Sequence, residues 1–417
     1  MKHGKGWTIC MVAAVVLAAA GTWVHGLATG GAAAGAAAAA NDWPTYRGPN
    51  ANGISNEKGW SSSWTTPPKE VWKKSVGKGY SSVAVAGGKV YTMGNANGKE
   101  DTVWCFDAKT GAEVWKKTYA CGSAKDNPGP RATPTVDGGL VYTVSRQGHI
   151  KCWDADKGDV KWEKNAKDFG CKAPTWGFAS SPVIAGDEVI IELGKVLALN
   201  KKTGEKVWDS PTLRKSGYAT VTLFKLGDKK CLAAFSGEGL VVVEMGTGKE
   251  VSFFPWKTAY DVSAATPLVT DGKVFISTGY GTGCALVDAA TGKADWTNKK
   301  MCNHTGTCIL YDGFLYGFNG QAGTGGVLTC MDIKDGSVKW THKGLGTGSV
   351  LMADGKLILQ GASGDLAIAE PNPKEYKELA KAKPLSGECW TQAVLSNGMI
   401  YCRNTEGDLV ALDVSGK

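Results

Sequence analysis

The chain has 417 residues, among them 57 Gly and 16 Trp, and a formal net charge of +8. That length leaves room for two or three ordinary domains or for one large ring of repeats. Lys and Arg are scattered through turns and strands without a basic run, which argues against nucleic acid as a partner.

The first forty residues differ from the rest. Lys2 and Lys5 precede an apolar run from Trp7 to about Ala20, and an Ala/Gly tract continues to Ala40. A charged start, an apolar middle and small residues near a cleavage site read as a secretory signal peptide. The run approaches the ~18 residues that span a bilayer, so an uncleaved N-terminal anchor is the alternative and the one route to membrane contact. No Cys follows it at a lipid-attachment position. Without residues 1–40 the chain loses Lys2 and Lys5 and no acid, so the charge falls from +8 to +6. The expected address is the periplasm or the cell exterior. Residues 41–66 form an N-terminal arm leading into the repeats.

From residue 67 to 417 one stretch recurs, seen fully from Val103 to Trp115. An apolar run ends in Asp107, Thr110 and Gly111 follow, and Trp115 lands four residues after the Gly. Apolar runs on both sides of such a link read as a β-hairpin whose Gly supplies a positive φ. Copies end at Trp162, Trp208, Trp296 and Trp340; weaker ones are anchored at Glu244, with Phe253 near the Trp position, at Glu370 and at Asp413. The anchors 107, 154, 200, 244, 288, 332, 370 and 413 lie 38 to 47 residues apart. Each copy also holds an earlier Gly-turn hairpin, such as Asp137 to Tyr142 or Asp312 to Tyr316. Four strands per period, here A to D, are the signature of propeller blades. The eighth copy runs out at Lys417 before a fourth strand, while Glu70 to Ser75 carries Trp72 without the preceding turn motif. That early strand is expected to complete blade eight and remove two exposed sheet edges. The predicted fold is all-β: one eight-bladed β-propeller of four-stranded antiparallel blades over 67–417. Helical periodicity is confined to Pro373–Lys381.

Eleven Cys follow the leader. Cys105, Cys152 and Cys330 sit two residues before an anchor Asp, as small buried strand residues. Cys121 and Cys171 lie in links between blades, and a Cys121–Cys171 disulfide is expected in an oxidising compartment. Gly279 to Gly283 lacks the helix and the Gly-Lys-Ser/Thr ending of a phosphate loop. Asp154 to Gly158 lacks the later ligands of a calcium loop. His149, His304 and His342 are dispersed, so neither a catalytic set nor a metal site is assigned.

Strand parity decides where binding can occur. The A–B and C–D turns share one rim of an up-and-down ring, and the B–C and D–A links share the other. The former are all short. The latter include long stretches such as Ala120 to Pro130, Asn165 to Gly177, Trp256 to Ser263 and Lys377 to Glu388. One rim is therefore plain and the other elaborated, and binding residues concentrate on long loops held by a rigid scaffold. Residues just before each innermost A strand should ring the channel mouth there. They are Tyr80, Arg131, Trp176 with Phe178, Tyr218, Asp261 with Ser263, His304, Gly346 and Trp390, with Tyr280 on a nearby B–C loop. Such a funnel suits a planar or polar ligand, or a peptide. The competing reading gives the aromatics to packing between blades and Arg131 to loop carbonyls.

The motif from Cys105 to Trp115 resembles the tryptophan-docking repeat of the pyrroloquinoline-quinone (PQQ)-type propellers. That resemblance covers roughly residues 67 to 417 and implies inter-blade docking by Trp72, Trp115, Trp162, Trp208, Trp296 and Trp340. The opening from Asp42 to Asn50 looks like the N-terminal segment of secreted PQQ-like repeat proteins of planctomycete-type bacteria. One branch of the superfamily comprises dehydrogenases that hold PQQ and calcium over the channel with an adjacent Cys pair, an Asp base and further calcium ligands. Here the Cys pair is absent and Asp261 is the one carboxylate expected at the mouth. The other branch comprises non-catalytic scaffolds. The expected function is a binding or scaffold propeller of the bacterial envelope, without a cofactor, meeting an envelope protein or a small polar ligand at the elaborated rim. The alternatives are a PQQ- and calcium-dependent alcohol or sugar dehydrogenase and a polysaccharide-binding surface protein.

Overall fold

The hairpins follow from their turn chemistry. Asp107 accepts hydrogen bonds from the backbone N–H of Lys109 and Thr110 and from the Thr110 hydroxyl, and Gly111 takes a φ of +69°. These bonds hold the Asp107 carboxyl below its ordinary range. The structure, a computed structural model, describes Met1 and residues 41–416, so the expected leader lies outside the described residues.

Each period forms four antiparallel strands hydrogen-bonded in the order A-B-C-D. Blade one has Ala84–Ala86, Lys89–Asn95, Glu100–Asp107 and Glu113–Ala120, and blade seven has Gly348–Ala353, Lys356–Gly361, Leu366–Ala369 and Glu378–Ala382. Blade eight takes Val394–Ser396, Met399–Arg403 and Asp408–Asp413 from the C-terminal end. Its fourth strand is Glu70–Ser75, antiparallel to the third with Trp72 opposite Ala411. The ring is an eight-bladed β-propeller.

Its core lies between blades. The Trp162 ring, for example, shares a buried cluster with Val189, Ile191 and Leu197 of blade three. Indole N–H groups cross the same seams: Trp72 donates to Ala108 O at 3.0 Å, Trp115 to Ala155 O at 3.0 Å and Trp162 to Lys201 O at 3.0 Å. Trp296 reaches Ile333 O and Trp340 reaches Asn372 O. Trp208 differs, donating to Glu188 of its own blade while its ring packs with Val241 and Val243 of blade four.

The turn Gly is required twice over. Gly158 has a φ of +71°, and a Cβ there would stand 2.7 Å from the Trp115 ring. Gly158→Ala therefore combines left-handed strain with overpacking and should cost about 2 kcal/mol of unfolding free energy. Equilibrium urea denaturation measures it; a cost below about 0.5 kcal/mol would mean that the Trp115 ring can slide away.

Two expectations are corrected. The helical pattern at Pro373–Lys381 gives way to strand Glu378–Ala382, the outer strand of blade seven, with Ala380 and Ala382 buried. Pairing with Leu366–Ala369 overrides the local preference of Glu, Lys and Ala. Cys121 and Cys171 are both free, buried thiols, not a disulfide. They are enclosed in different surroundings: the Cys121 carbonyl accepts from Asn95 of blade one, and Cys171 packs with Leu193 and Leu197 of blade three.

Candidate funnel at the elaborated rim

The N-terminal arm plugs the channel. It starts at the plain rim, where Asp42 accepts hydrogen bonds from Gly87 N and the Asn397 side chain in the A–B turns of blades one and eight. Trp43 bridges Val85, and Pro44 O accepts from Val136 N of blade two. Buried Arg47 donates to Asn52 O and to Cys308 O at the edge of blade six. Ile54–Ser55 then pairs in parallel with the innermost strand of blade seven, and the Glu57 carboxylate accepts from Gly398 N.

Beyond the plug lies a cavity of about 160 Å³ with Tyr46 of the arm in its wall. Parity gathers the predicted residues there: Tyr80, Arg131, Trp176, Tyr218, Tyr280, His304 and Trp390 all line it. Asp261 does not. It sits in a short 3₁₀ turn, Ala259–Asp261, and its carboxylate pairs with Lys215 at 3.0 Å while Val262 and Ala264 face the cavity. Phe178 and Ser263 are buried outside the lining, and Gly346 also lies outside it.

The aromatic rings touch in sequence around the mouth. Centroids are 6.1 Å apart for Tyr218 and Trp176, 5.8 Å for Trp176 and Tyr260, and 5.6 Å for Tyr260 and Tyr280. The series continues through Tyr280 and His304 at 5.2 Å, His304 and Trp390 at 5.8 Å, and Trp390 and Tyr80 at 5.0 Å. The Arg131 guanidinium stands 5.4 Å from the Tyr80 ring centroid. Tyr260, 66% exposed, is the outermost member and was not foreseen. Tyr260, Tyr280 and Asn127 all hold positive φ, at 59°, 57° and 52°. For bulky residues this costs on the order of 1–3 kcal/mol each, and such strain gathers where a side chain must be aimed.

Polar groups below the collar are ordered by the blades themselves. Ser82 N donates to the Thr133 hydroxyl, Thr133 N to Ser181, Ser181 N to Thr220, and Thr266 N to Thr307, each at 2.9–3.1 Å. Arg131 donates to Asn127 O at 2.6 Å and to Gly129 O at 2.7 Å, so it does brace its loop while lining the cavity. Burial lowers the Arg131 pKa to about 10, which leaves it charged at neutral pH. Burial also lowers the His304 pKa, and its Nδ1 accepts from Ala322 N, which places the neutral ring's proton on Nε2. No carboxylate is among the lining side chains. Among the described residues, no cluster of His, Cys, Asp and Glu could hold a metal ion, and no helix is long and apolar enough to cross a membrane.

The chain has relatives among known proteins. BamB of Burkholderia pseudomallei (strain K96243) is 26% identical over 278 residues, spanning 56% of this chain and 70% of that protein. The crystal structure of BamB from Moraxella catarrhalis superposes with a TM-score of 0.61 at 16% identity, over 84% of this chain and 98% of that one. The quinohemoprotein alcohol dehydrogenase from Comamonas testosteroni superposes with a TM-score of 0.70 at 13% identity, over 90% of this chain and 81% of that one. At such identities these two likenesses speak for the fold alone. The family profile described as outer membrane protein assembly factor BamB matches residues 55–254 and 99–342, and with the eight-bladed ring and its recurring turn motif this chain belongs to that PQQ-like propeller family.

Proposed function

We propose that this chain is a non-catalytic binding or scaffold propeller of the bacterial envelope that engages a protein or small ligand through its elaborated rim. The observation that carries the reading is the gathering of aromatic and strained residues at one rim around a single cavity. The other rim has short turns closed by the arm. The family's name, an assembly factor for outer membrane proteins, supports a protein partner, and the expected leader supports export. For the dehydrogenase alternative, the lining supplies no carboxylate to act as base or to hold calcium.

The test is capture of partners from envelope extract by the full chain, compared with a Tyr80→Ala/Trp390→Ala variant and with Lys202→Glu on the plain rim. The rim variant should keep its melting temperature and lose at least nine-tenths of the captured partner, and Lys202→Glu should retain it. Equal capture by all three would sink the reading. Dye reduction on alcohols or aldoses after reconstitution with PQQ and calcium would replace it with the dehydrogenase.

A further inference from the structure

We propose that the cavity is a carboxylate site: it takes an organic acid whose carboxylate meets Arg131 and the throat hydroxyls while a ring-sized body lies against the Trp/Tyr collar. This rests on reading the elaborated rim as the binding face, and it names the chemistry of what binds.

The lining is rich in donors and poor in strong acceptors. The hydroxyl oxygens of Ser181, Thr220 and Thr307 each already accept a backbone N–H from the preceding blade, which leaves the hydroxyl protons to be donated. His304 has its Nδ1 lone pair engaged by Ala322 N and so presents Nε2–H. Arg131 uses one N–H on each Nη toward its loop, out of five in all. A ligand that completes these groups supplies lone pairs, as an oxyanion does.

Charge points the same way. Arg131 is the one fully charged side chain in the lining, and no acid stands beside it there. A partly desolvated guanidinium gains most from an anion, because charge-assisted bonds strengthen as water is excluded. Neutral sugars and alcohols would satisfy the hydroxyls but bring no charge to Arg131, which is opposed only by Asp101, a buried acid outside the lining.

Size limits the rest of the ligand. About 160 Å³ is close to the ~150 Å³ cavity known to hold a benzene ring. Gln392 of the lining donates to Tyr46 O and ties the wall to the arm. With the arm filling the channel behind it, the site receives a small acid or the free end of a chain, and a passing loop does not fit.

Titration calorimetry on the full chain tests this with four probes: phenylacetate, phenylacetamide, a tetrapeptide ending in Phe with a free carboxylate, and the same peptide amidated. An acid should bind at least about tenfold more tightly than its neutral twin. Arg131→Gln should remove that preference, and Arg131→Lys should restore part of it. A tighter peptide acid identifies a chain terminus as the source, and a tighter phenylacetate a free acid; either supports the site. Equal affinity for acids and amides, or no binding by any probe, overturns it on the unaltered protein alone. The two proposals fail separately. Acids that bind while Tyr80→Ala/Trp390→Ala still captures partner would leave this site standing and remove the rim reading, and the converse pair of results would do the reverse.

Discussion

Replacing Arg403 with Ala should lower the unfolding free energy by about 4 kcal/mol. Arg403 is 1% exposed on the second strand of blade eight, at the seam where the two ends of the chain meet. Its Nη1 donates to Ser81 O, Thr92 Oγ1 and Met93 O, and its Nη2 donates to Gly77 O. All four acceptors belong to blade one or to the segment leading into it. Among the described residues no carboxylate pairs with the guanidinium, and burial lowers its pKa to about 9. The group is a fork of donors to three carbonyls and one hydroxyl, and removing it leaves buried acceptors unpaired at roughly 1–3 kcal/mol each. Desolvating a guanidinium is itself costly, so an apolar side chain of similar length recovers part of the loss. Arg403→Met should therefore fall between wild type and Arg403→Ala in urea denaturation. A loss below about 1 kcal/mol in the Ala variant would show that pairing of Glu70–Ser75 with Asp408–Asp413 holds the seam without it.

The seam illustrates what a sequence exposes and what it hides. Closure by Trp72 was legible because a strand with a Trp and no preceding turn had one vacant place in a repeating pattern. Rim parity was legible for the same reason, since turn length is local, and it brought Tyr80, Arg131, Trp176, Tyr218, Tyr280, His304 and Trp390 together. Asp261 failed because Tyr260 and Asp261 both turn through positive φ, which carries the carboxylate to Lys215. The hydroxyl series carries a local signal: Ser or Thr precedes Pro just before an inner strand at Thr133, Ser181 and Thr266. The Arg403 fork had none, because it depends on which carbonyls a closed ring leaves facing one another. The arm was equally silent. Its contacts are with blades one, two, six, seven and eight, and no period within residues 41–66 records them.

The arm supplies the other large effect. Trp43→Ala should destabilise the chain by about 4 kcal/mol, within the range for deleting a buried Trp. Trp43 is 0% exposed, packs in the cluster that joins blades one, seven and eight, and exchanges two backbone hydrogen bonds of 2.8 Å with Val85. Its indole N–H has no partner, so its contribution is packing. Gly48 closes over the ring with a φ of +77°, where a Cβ would stand 2.7 Å away. Gly48→Ala should therefore disturb the same contact at about 2 kcal/mol without emptying it. Because Tyr46 is carried on this segment, loosening the arm should also weaken binding at the cavity, whereas Gly158→Ala on the outer wall should lower stability alone. Urea denaturation with a binding titration at low denaturant separates the two. Loss of stability in Trp43→Ala with full ligand affinity would mean that the cavity keeps its shape without the plug behind it.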